Sequence, residues 1–362
     1  MNLDKVFLMK KRILVIARSY PNVSHSYIDN DVRFLDERAD VLVLSRKQPT
    51  APYYSAVEFN YFDNLNQLEL QARLFKPDMI ICWMLPHHFY ARQIAESLNI
   101  PFILKLHTPD VFRLIKGPAS IKQEIKAFMS GEDVLSGSYK VLMSSLKRTA
   151  QSKWLKGVFC IPALQQSFAE YFPKGLLRNM QPWIDFETFH NDSPNGDNVL
   201  VLGSLVNRRE NQVTFSNFIN QIDAQVDWIP VPTPGCLWLD VPGIPDNVHI
   251  RKFLPPTQMP ALYKTYKAML VIGAGEFGRG LPMSVLEAQA AGVTVIAPSL
   301  RPDFDAFVTA GGGFIFQSES EIPGLLARAQ EPARRNMGFE HAAQYGPESF
   351  SRALASLGLE LG

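Results

Sequence analysis

Met269–Ala297, MLVIGAGEFGRGLPMSVLEAQAAGVTVIA, holds the residues whose types and spacing point most directly to chemistry. An apolar run leads into a glycine-rich stretch, Gly273–Gly280. Pro282 then opens a helix that Gly292 closes. Glycines let backbone N–H groups approach an anion, and a helix N-terminus adds partial positive charge. A diphosphate fits that arrangement. Glu287 stands five residues into the helix, roughly 7.5 Å along its axis at about 1.5 Å per residue. That is the reach from a pyrophosphate to the ribose hydroxyls of a nucleotide. An ordinary α/β loop followed by a solvated glutamate has the same spacing, so both readings stand on spacing alone.

Other reactive side chains are sparse. Cys82, Cys160 and Cys236 lie far apart with no CxxC pair, which argues against a disulfide framework or a zinc site and suits a reducing cytosol. His87 and His88 are expected to line a loop after a strand, but adjacent histidines point in different directions and make a poor metal pair. No metal and no cofactor are expected. His107 ends an apolar run; a single histidine there is ordinarily structural or a cap partner. Asp110 can equally be an N-cap, and the Arg208-Arg209 pair reads as surface when taken in isolation.

The elements that must position these residues follow from the apolar pattern. Arg12–Ala17, Asp40–Ser45, Met79–Met84 and Pro101–Leu106 read as strands buried on both faces, with helices at Tyr27–Leu35 and Ala91–Leu98. After a turn-rich stretch, in which Asn191–Asn198 reads as a linker, the alternation restarts. Strands are expected at Val199–Leu202, Trp228–Val231, Met269–Ile272 and Thr294–Ala297, and helices near Gln212–Ile222, Met259–Tyr266 and Pro282–Ala291. Strand–helix alternation predicts parallel, doubly wound sheets with ligands beyond the carboxyl ends of the strands. A length of 362 residues calls for two such domains, and two domains leave a cleft between them.

Hydrophobic content of 46% with 20% charged residues is that of a soluble globular protein. No apolar run is long enough to span a bilayer, and residues 1–11 have no signal-peptide layout. A cytoplasmic location is expected, with no nucleic-acid partner. The net charge of +1 conceals an asymmetry: residues 1–185 carry 24 Lys/Arg against 17 Asp/Glu, and residues 186–362 carry 12 against 18. Arg113–Lys156 alone holds nine basic and three acidic residues, interleaved with Phe128, Leu135, Tyr139 and Trp154. This reads either as a solvated basic face or as a surface that meets an anionic membrane on its inner side.

Arg279–Gly292, RGLPMSVLEAQAAG, closely resembles the signature of the retaining glycosyltransferases of family 4: two glutamates eight apart around Gly and Pro, then an Ala-rich helix and Gly. The likeness runs over most of the chain. Lys11–Ala17 and Ser19–Leu35 are similar to the family's first strand and loop, Lys76–His88 and Lys105–Phe112 to its later N-domain segments. Asn179–Phe189 is similar to the entry into its C-terminal domain, and Gly203–Asn211 to its phosphate-binding turn.

The resemblance implies a GT-B fold of two Rossmann-like domains. It places an acceptor-side domain at 1–190, a nucleotide-sugar domain at 191–346, and a final helix, 347–362, returning to the first. It implies retaining transfer from a nucleoside-diphosphate sugar, UDP-linked, to a polysaccharide, glycolipid or lipid-linked acceptor. Glu287 takes the position of the glutamate that binds the donor ribose, Arg209 that of the cation facing the leaving diphosphate with Arg208 beside it, and His107 that of a histidine near the donor sugar. Gly203, Ser204, Gly280, Leu281, Pro282, Met283 and Ser284 fall where the family contacts the donor.

Three positions depart from the family pattern. Arg279 replaces the first signature glutamate, Ser204 replaces the usual arginine of the phosphate turn, and Ser19–Tyr27 lacks the paired glycines. Glu276 can supply the missing carboxylate, Arg279 can bind an acidic donor sugar bidentately, or Arg279 can restore the charge lost at Ser204. A catalytically decayed binding or scaffolding protein of the same fold is the alternative.

Overall fold

A computed structural model describes residues 10–22, 26–48, 55, 57–107, 139–202, 219–229, 244–252, 254–272 and 283–361. The chain divides into two compact units, 1–181 with 348–362, and 182–347.

The first unit is built on a seven-stranded sheet in the order β3-β2-β1-β4-β5-β6-β7. Its strands are β1 (Arg12–Ser19), β2 (Asp40–Lys47), β3 (Phe59–Tyr61), β4 (Met79–Trp83), β5 (Phe102–Lys105), β6 (Leu155–Cys160) and β7 (Leu177–Asn179). All neighbours pair in parallel. Ile13–Ala17 and Ile80–Cys82 are fully buried, which is why β1 and β4 are continuous apolar runs rather than alternating ones. Helices Ser26–Asp36, Leu65–Phe75, His88–Leu98 and Tyr139–Ala150 connect these strands. Asn64 caps the second of them by accepting from the Gln67 N–H at 2.9 Å. The last helix, Glu348–Ala355, belongs to this unit, where Phe350 packs on Phe34 at 5.4 Å.

The second unit holds a six-stranded parallel sheet in the order β10-β9-β8-β11-β12-β13. Its strands are β8 (Asn198–Leu202), β9 (Val226–Ile229), β10 (Val248–Ile250), β11 (Tyr266–Leu270), β12 (Thr294–Pro298) and β13 (Phe314–Phe316). Its core joins Val199, Val201, Trp228, Leu270 and Ile296 to residues of the covering helices such as Ile322.

One expectation is corrected. Tyr266 does not end a helix: the helix stops at Tyr263, and Tyr266 begins β11, where its ring is fully buried and its hydroxyl donates to Asp227 at 2.8 Å. The second unit begins at Pro182, and the segment Asn191–Asn198 falls within it. Lys264 Nζ donates to the carbonyls of Asn191 and Ser193, and Arg335 donates to the same two oxygens at 3.0 and 2.8 Å. These bonds fasten the turn-rich segment inside the second unit, and Asn198 already belongs to β8.

Candidate active site

Helix Met283–Ala290 follows β11 and places Glu287, Met283 and Ser284 on one element. Its apolar residues and Gln289 are buried. Gln289 Oε1 accepts from Nδ1 of the His341 ring at 2.9 Å, which pins the helix from the side. Gly292 ends it with φ +73°, and a Cβ there would stand 2.9 Å from Arg335 Nε and 3.0 Å from Phe339 Cζ. The left-handed turn and the crowding both require glycine.

Glu287 is half-buried on this helix. The hydroxyl of Tyr263, from helix Met259–Tyr263, donates to its Oε2 at 2.9 Å. Tyr263 is 0% exposed, and burial together with the Glu287 charge pushes its phenol well above the ordinary value. It therefore acts as a fixed donor. The carboxylate is oriented at one oxygen by a rigid partner, as a group that binds a diol requires. Met283 is buried and Ser284 half-buried, the latter with its carbonyl 3.5 Å from the Tyr263 hydroxyl.

His107 lies in the first unit, just beyond β5. Its ring stacks on Tyr27 at 4.3 Å and on Trp83 at 5.2 Å, and those two rings are 5.4 Å apart. Beneath this aromatic triad Lys105, 1% exposed, forms an ion pair with buried Asp31. Its Nζ sits 4.1 Å from the centroids of both Trp83 and Phe350. Burial pulls the lysine down to about 8, opposed by the Asp31 charge. A charge-assisted pair shielded by two aromatic faces thus holds the ring on which His107 rests.

Of the expected site residues, Glu287, Met283 and Ser284 fall in the second unit and His107 in the first. Gly203, Ser204, Arg208, Arg209, Glu276, Arg279, Gly280, Leu281 and Pro282 lie outside the described residues. His87 and His88 do not line an open loop. His88 donates from Nδ1 to the Leu85 carbonyl at 2.5 Å and meets Ser145 Oγ through Nε2 at 3.0 Å, and both rings are buried. Among the described residues no group of three or more His, Cys, Asp or Glu is placed to hold a metal, and no helix is long and apolar enough to cross a membrane.

Sequence reasoning missed Tyr263, Trp83, Lys105 and Asp31. A lysine inside the run PFILKL was the one signal that could have found a buried ion pair.

No protein-family model matches the chain, and no curated protein matches it in sequence. Solved structures do match in fold. HepE of Anabaena in complex with UDP and glucose superposes with a TM-score of 0.69 at 12% identity, covering 96% of this chain and 99% of that one. Sucrose-phosphate synthase from Thermosynechococcus elongatus superposes at 0.66 and 11% identity, covering 96% and 98%. These neighbours share two parallel-sheet α/β domains with the present chain.

The chain has the GT-B fold.

The calicheamicin glycosyltransferase CalG4 matches more loosely, with a TM-score of 0.52 at 16% identity over 96% of this chain and 98% of that one. Within the GT-B frame, Glu287 sits on the helix after the fourth strand from the β10 edge, and His107 follows β5, the neighbour of the central strand β4 in the first sheet.

Proposed function

We propose that this chain is a retaining glycosyltransferase that moves a sugar from a UDP-linked donor to a glycan, glycolipid or lipid-linked acceptor. The observation that carries the reading is the half-buried Glu287 carboxylate, oriented by Tyr263 on the helix that follows a glycine-rich segment. The complexes of HepE with UDP-glucose and with UDP and glucose support the choice of donor.

In this account the acceptor hydroxyl bonds to the anomeric carbon on the face from which UDP departs. The bond from that carbon to the β-phosphate oxygen breaks, and the leaving phosphate takes the hydroxyl proton. The protein supplies position and charge rather than a nucleophile. Glu287 holds the ribose hydroxyls, Arg209 with Arg208 offsets the charge growing on the diphosphate, and His107 contacts the donor sugar. Arg279 selects a donor whose sugar carries a carboxylate, since a guanidinium offers only donors and a fixed charge. Lys140, Lys147, Arg148, Lys153 and Lys156, exposed on and after helix Tyr139–Ala150, form the side turned to an anionic membrane.

Incubation with neutral and acidic UDP-sugars, followed by UDP release and the anomeric configuration of the product by NMR, tests the reading. Retained configuration with preference for an acidic sugar is the expected result. Inverted product removes retention, and equal use of neutral sugars removes the role of Arg279. Ser204 and Arg279 also favour a second reading, a decayed site that binds nucleotide-sugar without turnover. It predicts nucleotide binding with no UDP release from any donor.

A further inference from the structure

The strand order β3-β2-β1-β4-β5 reverses direction between β1 and β4. Ligands of doubly wound parallel sheets bind beyond the carboxyl ends of the strands at such a switch point. The carboxyl ends of β1 and β2 bring three cations to this edge of the sheet, and His87 follows β4 along it. β1 ends at Arg18-Ser19 and β2 at Arg46-Lys47, with Ser19 level with Lys47. β4 runs through Met84 into the turn Leu85–His87. Met84 has φ 70° and ψ 142°, a backbone conformation that side-chain-bearing residues rarely hold without a functional reason.

Arg18 and Lys47 are exposed, and neither side chain makes a hydrogen bond or ion pair among the described residues. Arg46 donates to the Phe62 carbonyl at 3.3 Å and stands 3.9 Å from Asp63, a carboxylate that is itself 88% exposed. Two carboxylates of the helix after β1 are committed elsewhere, Asp29 to Arg33 at 3.1 Å and Asp31 to Lys105.

His87 is 2% exposed, and neither ring nitrogen has a hydrogen-bond partner among the described residues. Its ring lies 6.1 Å from Tyr90, which packs on Phe62 at 5.3 Å, and the Arg46 guanidinium lies 6.0 Å from that Phe62 ring. Burial, then the charges of Arg18, His88, Arg46 and Lys47, push its imidazole down to about 3. It is therefore neutral, with one donor and one acceptor unused among the described residues. Buried polar groups are nearly always satisfied in native proteins, so an orphan of this kind calls for a partner.

We propose that Arg18, Arg46, Lys47 and His87 form an anion site that takes the phosphate group of the acceptor. The two exposed cations, Arg18 and Lys47, match the charge of a phosphate monoester, about −1.5 to −2 near neutral pH. The assignment to an acceptor rests on the transferase reading above; the anion site itself rests only on the first unit.

Titrating inorganic phosphate into the full chain with saturating UDP present tests it, with isothermal calorimetry and labelled-histidine NMR as readouts. Wild type should bind phosphate and shift the His87 ring signals. Arg18→Ala/Lys47→Ala should weaken phosphate binding about tenfold while UDP affinity stays within twofold. Absence of phosphate binding beside UDP, or a loss under threefold in the double variant, overturns the proposal. Phosphate binding that depends on Arg18 and Lys47 in a chain that fails to bind UDP keeps the anion site and removes the transferase reading. Vesicles of phosphatidylglycerol separate the two sources: vesicle binding lost in the double variant assigns the phosphate to a lipid headgroup, and phosphate binding without vesicle binding assigns it to a soluble acceptor.

Discussion

The hydroxyl of Tyr263 donates to Oε2 of Glu287 at 2.9 Å, and Tyr263 itself is fully buried. A glutamate alone on a helix samples several rotamers; this one has an oxygen fixed by a partner that cannot move. Binding a vicinal diol through a carboxylate depends on that orientation, because rotamer freedom lost on binding weakens the net interaction.

Tyr263→Phe removes the bond and keeps the ring. Hydrogen bonds to charged groups contribute about 1.5–3 kcal/mol, part of which goes to orientation. UDP affinity should fall about three- to tenfold, measured by calorimetry, with the unfolding midpoint only slightly lowered. Unchanged UDP affinity would show that Tyr263 does not position Glu287.

Lys105 and Asp31 form a buried pair between β5 and the helix after β1, with Trp83 and Phe350 over the ammonium. Lys105→Met leaves a buried carboxylate without its cation, which costs about 3–5 kcal/mol. Replacing both, Lys105→Met/Asp31→Leu, should recover most of that loss in urea unfolding. A double variant as unstable as the single one would show that the pair does not account for the loss.

His87 and His88 make stability depend on pH. Their imidazoles are pushed down to about 3 and about 4, mainly by burial. In the unfolded chain both titrate near 6.5. Below that value the unfolded chain binds more protons than the folded one, so stability is full above pH 6.5 and is lost as pH falls toward the folded values. Each histidine contributes about 1.4 kcal/mol per pH unit well below pH 6.5. Between pH 6.5 and 5, above most carboxylate titration, His87→Leu should roughly halve the slope. An unchanged slope would contradict the assignment.

The parts of this fold that sequence made visible are those in which one segment carries its own signal. β1, β2, β4, β5, β8 and β12 are apolar runs because helices cover both faces of the sheets. Gly292 was legible because a helix end needs a residue at positive φ. β3, β7, β10 and β13 are three residues each and too short for periodicity to register, and β3, β7, β10 and β13 also sit at sheet edges, where one neighbour suffices. β9 begins at Val226 rather than Trp228 because Asp227, which interrupts the apolar run, is neutralised by Arg251 at 2.8 Å and bonded by Tyr266. The same limit applies to the site. Glu287 sits in a recognisable segment, whereas its partner Tyr263 comes from a different helix, and the cations at the first switch point come from separate strands. Only the pairing of strands brings them together.

The transferase proposal turns on whether Glu287 binds the ribose hydroxyls of a nucleoside diphosphate. Titrating UDP and 2′,3′-dideoxy-UDP into wild type and Glu287→Ala tests it most directly, with the unfolding midpoint of each protein measured alongside. Wild type should bind the dideoxy compound at least tenfold more weakly than UDP, and Glu287→Ala should bind the two alike while remaining folded. Equal affinities in wild type, or discrimination that survives in Glu287→Ala, would contradict the claim.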